Sequence, residues 1–350
     1  MDDLHSNGVD FICFLQETLR TQTDQMLLLS HMGDPRNAFL IYFPIAFCLC
    51  PSVGQKVLWI AAISEWLNAV LKWILFGHRP YWWVHESSLY TEETRPDILQ
   101  FPITCETGPG SPSGHAMVTS SVWFIMITAF LRYKSNQQQH PEKSSHGFIF
   151  ILSWLLFTLM ITMVAISRLF IAAHFPHQVL LGTLVGILLA VLFNRISTDD
   201  LPLHFYVMGS GFILITAIGL YGILQLLQLD PGWTVSLAIK WCSKKEYIHL
   251  DTTPFYALSR DAGCVFGLGA VLAVRDKFKD KLKDNINFLA KVIAIFACLI
   301  YCSFIESVKP QSENIIFFYF LGFLKNSLIP VGVVFIRTLI SYLFCKSKRQ

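Results

Sequence analysis

A chain of 350 residues is long enough for two or three soluble domains, yet 53% of it is hydrophobic and only 15% charged. A soluble globular protein carries about 25% charge, and the net charge here is only +3, so a soluble enzyme, a coiled coil, a disordered regulator and a nucleic-acid binder are all excluded. The hydrophobic half suffices for about nine spans of ~20 residues, which describes an all-α polytopic membrane protein.

The start, with Asp2, Asp3, Asp10 and Glu17, lacks a basic region followed by an apolar one and reads as a polar, uncleaved N-terminus. Apolar segments of helical length then lie near 26–50, 57–77, 116–133, 147–166, 175–194, 204–226, 254–274, 289–307 and 316–342. The first is interrupted by Asp34, Pro35 and Arg36. With no internal repeat, residues 1–350 read as one domain. Basic residues set the orientation. Arg132, Lys134 and Lys143 follow the third span, Arg275, Lys277, Lys279, Lys281 and Lys283 the seventh, and Lys346, Lys348 and Arg349 end the chain. All fall on one side, which should be cytosolic. The tail also resembles a dilysine signal for return to the endoplasmic reticulum. Nine cysteines, without metal-ligand spacing, indicate neither a zinc site nor a disulfide framework. Cys13, Cys105 and Cys242 fall in predicted loops, where a bridge among them stays open.

Three segments on the opposite, non-cytosolic side carry chemistry. Lys72 and Arg79 close the second span; seven residues are two helical turns, so both should share one face about 10 Å apart, with Pro80 ending the helix. Gly108-Pro-Gly-Ser-Pro-Ser113-Gly114-His115 enters the third span as a tight loop whose N–H groups and helix dipole suit a phosphate. Ser167-Arg168 and His174 share the short loop between spans four and five, where a break before Pro176 lets both face one pocket. Singly, these are snorkelling cations, a capped turn and an interfacial charge. Jointly they are the parts of metal-independent phosphoryl transfer: fixed cations, a nucleophilic imidazole and a second imidazole as acid.

Lys-x6-Arg-Pro, Pro-Ser-Gly-His and Ser-Arg-x5-His resemble the signatures of the type 2 phosphatidic acid phosphatase and vanadium haloperoxidase superfamily. Arg79-Pro-Tyr-Trp-Trp83, Thr104 through Met117, Ala173 through Gln178, Trp241-Cys242 and Ile248 through Phe255 narrow the resemblance to the glucose-6-phosphatase family. Gly33-Asp-Pro35, Glu65 through Asn68, Val84 through Ser87, Leu258 through Asp261 and Phe323 through Lys325, together with the lack of any Asn-x-Ser/Thr acceptor, resemble its ubiquitously expressed branch. The resemblance implies a superfamily-type helical core, His174 as nucleophile, His115 as proton donor and acceptor, and Lys72, Arg79, Ser113, Gly114 and Arg168 around the phosphoryl group. It implies no cofactor and no metal. Its substrates would be glucose 6-phosphate and related sugar phosphates, hydrolysed in the lumen of the endoplasmic reticulum as part of gluconeogenesis and glucose metabolism. Its other partners would be membrane lipid and a separate glucose 6-phosphate transporter, with no nucleic acid.

Many superfamily members place Asp four residues beyond the nucleophile, where Gln178 stands here, so the support of His174 is open. Asp34 and Glu106 are candidates for sugar binding or support of the cations, since carboxylates at membrane depth are costly. Tyr81, Trp82 and Trp83 read as an interfacial aromatic belt; Gly263, Gly267 and Gly269 read as close helix packing. A lipid phosphate phosphatase would use the same motifs, and an anion transporter could use the same cations. Phosphate release from a water-soluble sugar phosphate by detergent-purified protein separates both from the expected enzyme.

Overall fold

The computed structural model describes residues 1–137, 143–248, 253–277, 287–310, 312 and 314–346. His140, Lys279, Lys281, Lys283, Lys348, Arg349 and the middle of the 248–255 motif lie outside them, as do the side chains of Lys143 and Lys346. The described residues form helices α1 (Asp2–Thr18), α2 (Thr23–Met32), α3 (Phe43–Leu49), α4 (Pro51–Leu75), α5 (Pro80–Glu86), α6 (Gly114–Gln137) and α7 (Lys143–Phe170), followed by α8 (Pro176–Phe193), α9 (Leu203–Leu226), α10 (Trp233–Trp241), α11 (Pro254–Asp276), α12 (Phe288–Ser307) and α13 (Ile315–Lys346).

Among the described residues, eight helical segments are long and apolar enough to cross a membrane: Pro51–Glu86, Gly114–Asn136, Gly147–Phe170, Pro176–Phe193, Leu203–Leu226, Pro254–Asp276, Phe288–Ser307 and Ile316–Phe344. The ninth expected span, 26–50, is broken into α2, a π-helical turn at Ala38–Tyr42 and α3. Asp34-Pro35-Arg36 supplies the reason: proline cannot donate to the ladder and constrains the residue before it. Along α7, Phe148, Ile151, Leu155 and Leu159 point outward, the apolar face a lipid surround requires.

The chain divides into two compact units: Met1–Pro35 with Leu67–Leu192 and Gly219–Pro254, and Arg36–Trp66 with Phe193–Ile218 and Phe255–Gln350. In the first, α1 and α2 pack on α7, α6 on α7, and α10 on α5. The polar start is thus an amphipathic helix. Its Val9, Ile12 and Leu15 join Tyr81, Trp82, Trp83 and Phe175 in one buried cluster. That overturns the aromatic-belt expectation. Tyr81 and Trp82 are fully buried, because α5 turns inward beneath α1 and α10, and the Tyr81 hydroxyl donates to the Glu106 carbonyl at 3.1 Å. Cys13 lies on α1 rather than in a loop, and the disulfide joins Cys105 to Cys242. In the second unit α12 packs on α13, and a side chain at Gly263 or Gly267 would collide with the carbonyls of Phe323 or Ser327.

Candidate active site

The site is built wholly within the first unit, by the ends of helices and the turns between them. Helix α4 stops at Leu75; Phe76 adopts a positive φ of 47° and Arg79 is extended. Lys72 and Arg79 therefore do not share a helical face, contrary to expectation. Pro80 starts α5, so the residue before it is pushed out of the helical region. The 108–113 loop lies against this segment: the Gly110 N–H donates to the Gly77 carbonyl at 2.7 Å. A side chain on Gly110 would strike the His78 carbonyl, and one on Gly77 would strike Ser111. The loop is tied further by Asn68, which donates to the Pro112 carbonyl at 3.1 Å, and by Thr234, which donates to the Thr107 carbonyl at 2.7 Å.

Arg79 is fully buried. Its Nε donates to the Gly108 carbonyl at 2.8 Å, Nη1 to the Ala173 carbonyl at 3.0 Å and Nη2 to the Pro109 carbonyl at 3.2 Å. Nη1 also lies 3.4 Å from His174 Nε2, and Nη2 lies 2.9 Å from Glu106 Oε2. Arg168 sits on the last turn of α7, not in the loop. Its Nη1 donates to Ser30 Oγ at 2.8 Å and its Nη2 pairs with Glu106 Oε1. Its buried Nε has no hydrogen-bond partner.

His174 occupies the turn between α7 and α8, entered through Ala172 at a positive φ of 55°. Its Nδ1 lies 2.8 Å from the Gly110 carbonyl. A carbonyl only accepts, so Nδ1 carries the proton and Nε2 presents its lone pair beside Arg79. Burial first, then Arg79 and Arg168, push the His174 pKa well below its ordinary value. The ring is neutral at neutral pH. Gln178 does not bond it directly. Its Nε2 donates to the His78 carbonyl at 2.7 Å and its Oε1 accepts from the Phe175 N–H at 3.1 Å. That amide packs beneath Gly110 and ties the two turns that aim the imidazole.

His115, on the first turn of α6, has Nδ1 3.8 Å from Glu106 Oε1. Ser113 gives its N–H to the Gln178 carbonyl at 3.0 Å, and its Oγ accepts from Ala116 N at 3.5 Å. The hydroxyl proton remains for a ligand. Gly114 opens α6, so its N–H is one of the four without an intrahelical acceptor. Lys72 on α4 lies in electrostatic range of His174, and Asp34, half-buried after α2, in range of His115 and Arg168. Burial alone would raise the Glu106 carboxyl, but Arg168 and Arg79 hold it well below the usual carboxylate range. The result is a buried cluster of cations with one carboxylate between two arginines and an unprotonated imidazole nitrogen at its edge. Sequence reasoning missed Ser30 and the Gly110 carbonyl. Ser30 lay in the misread first span, and a carbonyl leaves no mark in a sequence.

The chain carries the domain of a class, the PAP2 superfamily, whose profile matches residues 54–201, the stretch that holds Lys72, Arg79, Glu106, His115, Arg168 and His174. Full-length relatives narrow it. Mouse "Glucose-6-phosphatase 2" is 41% identical over 342 residues, covering 95% of each chain. The dog "Glucose-6-phosphatase catalytic subunit 1" is 41% identical over 338 residues, covering 95% of this chain and 94% of the relative. This chain belongs to the glucose-6-phosphatase family. No solved structure matches it significantly.

Proposed function

We propose that the chain is a membrane phosphohydrolase that cleaves glucose 6-phosphate and related hexose 6-phosphates through a phosphohistidine on His174. The observation that carries this is His174 itself: Nδ1 fixed on the Gly110 carbonyl, Nε2 unprotonated beside Arg79, in a family whose relatives are named glucose-6-phosphatases. The Nε2 lone pair forms the N–P bond as the bond from phosphorus to the sugar oxygen breaks. His115 gives that oxygen its proton. Water then attacks phosphorus, returns a proton to His115, and the P–N bond breaks to release inorganic phosphate. Lys72, Arg79, Arg168, the Ser113 hydroxyl and the Gly114 N–H stabilise the equatorial oxygens throughout.

The site is read as lumenal, in the endoplasmic reticulum. The Cys105–Cys242 disulfide adjoins it, and such bonds persist in oxidising compartments. Arg132 and Lys134 lie at the opposite end of α6 from His115, on the side the charge rule makes cytosolic, along with the C-terminus. A substrate made in the cytosol then needs a glucose 6-phosphate transporter as partner. Rapid-quench labelling with radiolabelled glucose 6-phosphate, in EDTA, tests the mechanism. Wild type should carry acid-labile, alkali-stable phosphate and His174→Ala none. Label on a serine, or label retained in His174→Ala, would overturn it.

A further inference from the structure

The site holds an anion of its own. Glu106 has one oxygen 2.9 Å from Arg79 Nη2 and the other on Arg168 Nη2. A guanidinium has five N–H bonds, and those of Arg79 are all engaged, by three carbonyls, His174 Nε2 and Glu106. The carbonyls belong to the turns that shape the site, and His174 must stay where it attacks. When a ligand binds, the Glu106 carboxylate, on a side chain with three rotatable bonds, can give way to a ligand oxygen; the Nη1–H on His174 Nε2 is released only when that lone pair attacks. Arg168 makes the same point from the other side, because its buried Nε donates to nothing. A buried unpaired donor is costly. A carboxylate offers two oxygens to this cluster; a phosphoryl group offers three and can reach that third donor.

Two anions cannot share the arginines cheaply, since like charges at contact oppose each other. We propose that Glu106 is a displaceable counter-anion, which holds the phosphoryl position between Arg79 and Arg168 while the site is empty and swings to His115 when a phosphate ester takes its place. The inference rests on the phosphohydrolase reading above. His115 Nδ1 is 3.8 Å from Glu106 Oε1, too far for a hydrogen bond and near enough for one after a small rotation. Once the ester holds the arginines, His115 is a titratable partner within a small rotation of the carboxylate. Glu106 then stabilises the imidazolium whose Nε2–H faces the departing sugar oxygen. As the substrate arrives, His115 takes up one proton from solvent, and that is the proton it later gives to the sugar oxygen. Glu106 is therefore a positioning residue whose two partners alternate.

The test compares detergent-purified wild type, Glu106→Gln and Glu106→Asp, using inorganic phosphate and orthovanadate as binding probes and glucose 6-phosphate and p-nitrophenyl phosphate as substrates. Glutamine keeps the shape and loses the charge, so phosphate and vanadate should bind roughly tenfold or more tighter. At the same time kcat on glucose 6-phosphate should fall by about 10²-fold, the lower end of what a general acid supplies. On p-nitrophenyl phosphate, whose leaving group needs no proton, kcat should fall far less. Aspartate, one methylene shorter, cannot bridge both arginines; it should bind phosphate more tightly than wild type by a smaller factor and recover part of the glucose 6-phosphate rate. If the Gln variant folds only with phosphate present, the steeper dependence of its melting temperature on phosphate reports the same competition. If it does not fold at all, the Asp variant decides. Equal or weaker phosphate binding in the folded variants, or equal loss on both substrates, overturns the proposal. A wild type that neither binds phosphate nor hydrolyses either ester sinks the phosphohydrolase reading instead.

Discussion

Each of the two compact units buries charge among apolar helices, and they balance it differently. In the second, Arg260 is shared between Glu65 and Asp261, its Nε 2.9 Å from Asp261 Oδ1, while Glu306 receives Lys325 at 3.0 Å and Arg36 at 3.7 Å. Each of these cations has a carboxylate partner, although Arg36 and Glu306 are partly exposed and Asp261 Oδ2 is buried without a hydrogen bond. In the first, Arg79 and Arg168 share the carboxylate of Glu106, Lys72 and half-buried Asp34 lie in electrostatic range, and the buried Arg168 Nε has no acceptor. Buried ion pairs are weak sources of stability, but an unmatched buried charge is expensive. A cluster balanced from within is a strut. Two arginines that converge on one mobile carboxylate are the arrangement that the displaceable counter-anion proposed above requires.

Matched substitutions can break that contrast. Arg79→Lys should lower kcat/KM on glucose 6-phosphate by more than about 10³-fold, since one ammonium replaces neither the planar fork nor its five donors. Arg260→Met should act on stability instead. Removing the shared partner strands Glu65 and Asp261, a change worth about 3–5 kcal/mol, read as a lower melting temperature in detergent with the phosphate affinity of the folded fraction unchanged. If Arg260→Met weakened phosphate binding in folded protein while leaving the melting temperature alone, the distinction between strut and anion site would be wrong.

Within the first unit, the two imidazoles can be separated next. His115→Ala should reduce glucose 6-phosphate turnover by about 10²–10³-fold, as loss of a general acid does. With p-nitrophenyl phosphate the first step survives without an acid, and the second lacks its base. Labelled phosphate should therefore accumulate on His174, to a higher level than in wild type. No accumulation, with both substrates equally slowed, would assign His115 a purely structural place.

The legibility of this molecule in its sequence follows the same division. Motifs whose chemistry is local could be read directly: the 108–115 loop before a helix, and the Arg168–His174 spacing that needs a break before Pro176. Eight of the nine expected spans match long apolar helices among the described residues, because lipid demands such helices. Features set by packing between distant segments were not. Tyr81, Trp82 and Trp83 look like an interfacial belt until α1 is known to cover them, and α1 itself was hidden because Asp2, Asp3 and Asp10 mask the apolar stripe of Val9, Ile12 and Leu15. The Lys72–Arg79 face failed because Phe76 takes a left-handed conformation that periodicity does not announce. The pairing of Cys105 with Cys242 depends on α10 packing against α5, a contact between segments more than a hundred residues apart.

The smallest effect expected comes from that hidden helix. His5 on α1 stacks on Phe175 with ring centroids 4.3 Å apart, and its neighbours include His177 at 5.4 Å and His78 at 6.3 Å. Phe175 follows His174, so α1 braces the turn that carries His174. Burial, followed by the nearby His177 and His78, lowers the His5 pKa from 6.5 to about 4, against a weaker opposing pull from Asp2. The sign is then fixed by linkage. Between those values the unfolded chain binds a proton that the folded one refuses, so stability is full above about pH 6.5 and is lost progressively as the pH falls toward 4. His5→Phe keeps the stack on Phe175 and removes the titration. Its melting temperature in detergent should match wild type near pH 7.5 and exceed it by about 1–2 °C near pH 5, in keeping with about 1 kcal/mol in a chain of this size. A wild-type advantage at pH 5 would mean that His5 is stabilised by its proton, and that α1 does not clamp the turn through a neutral ring.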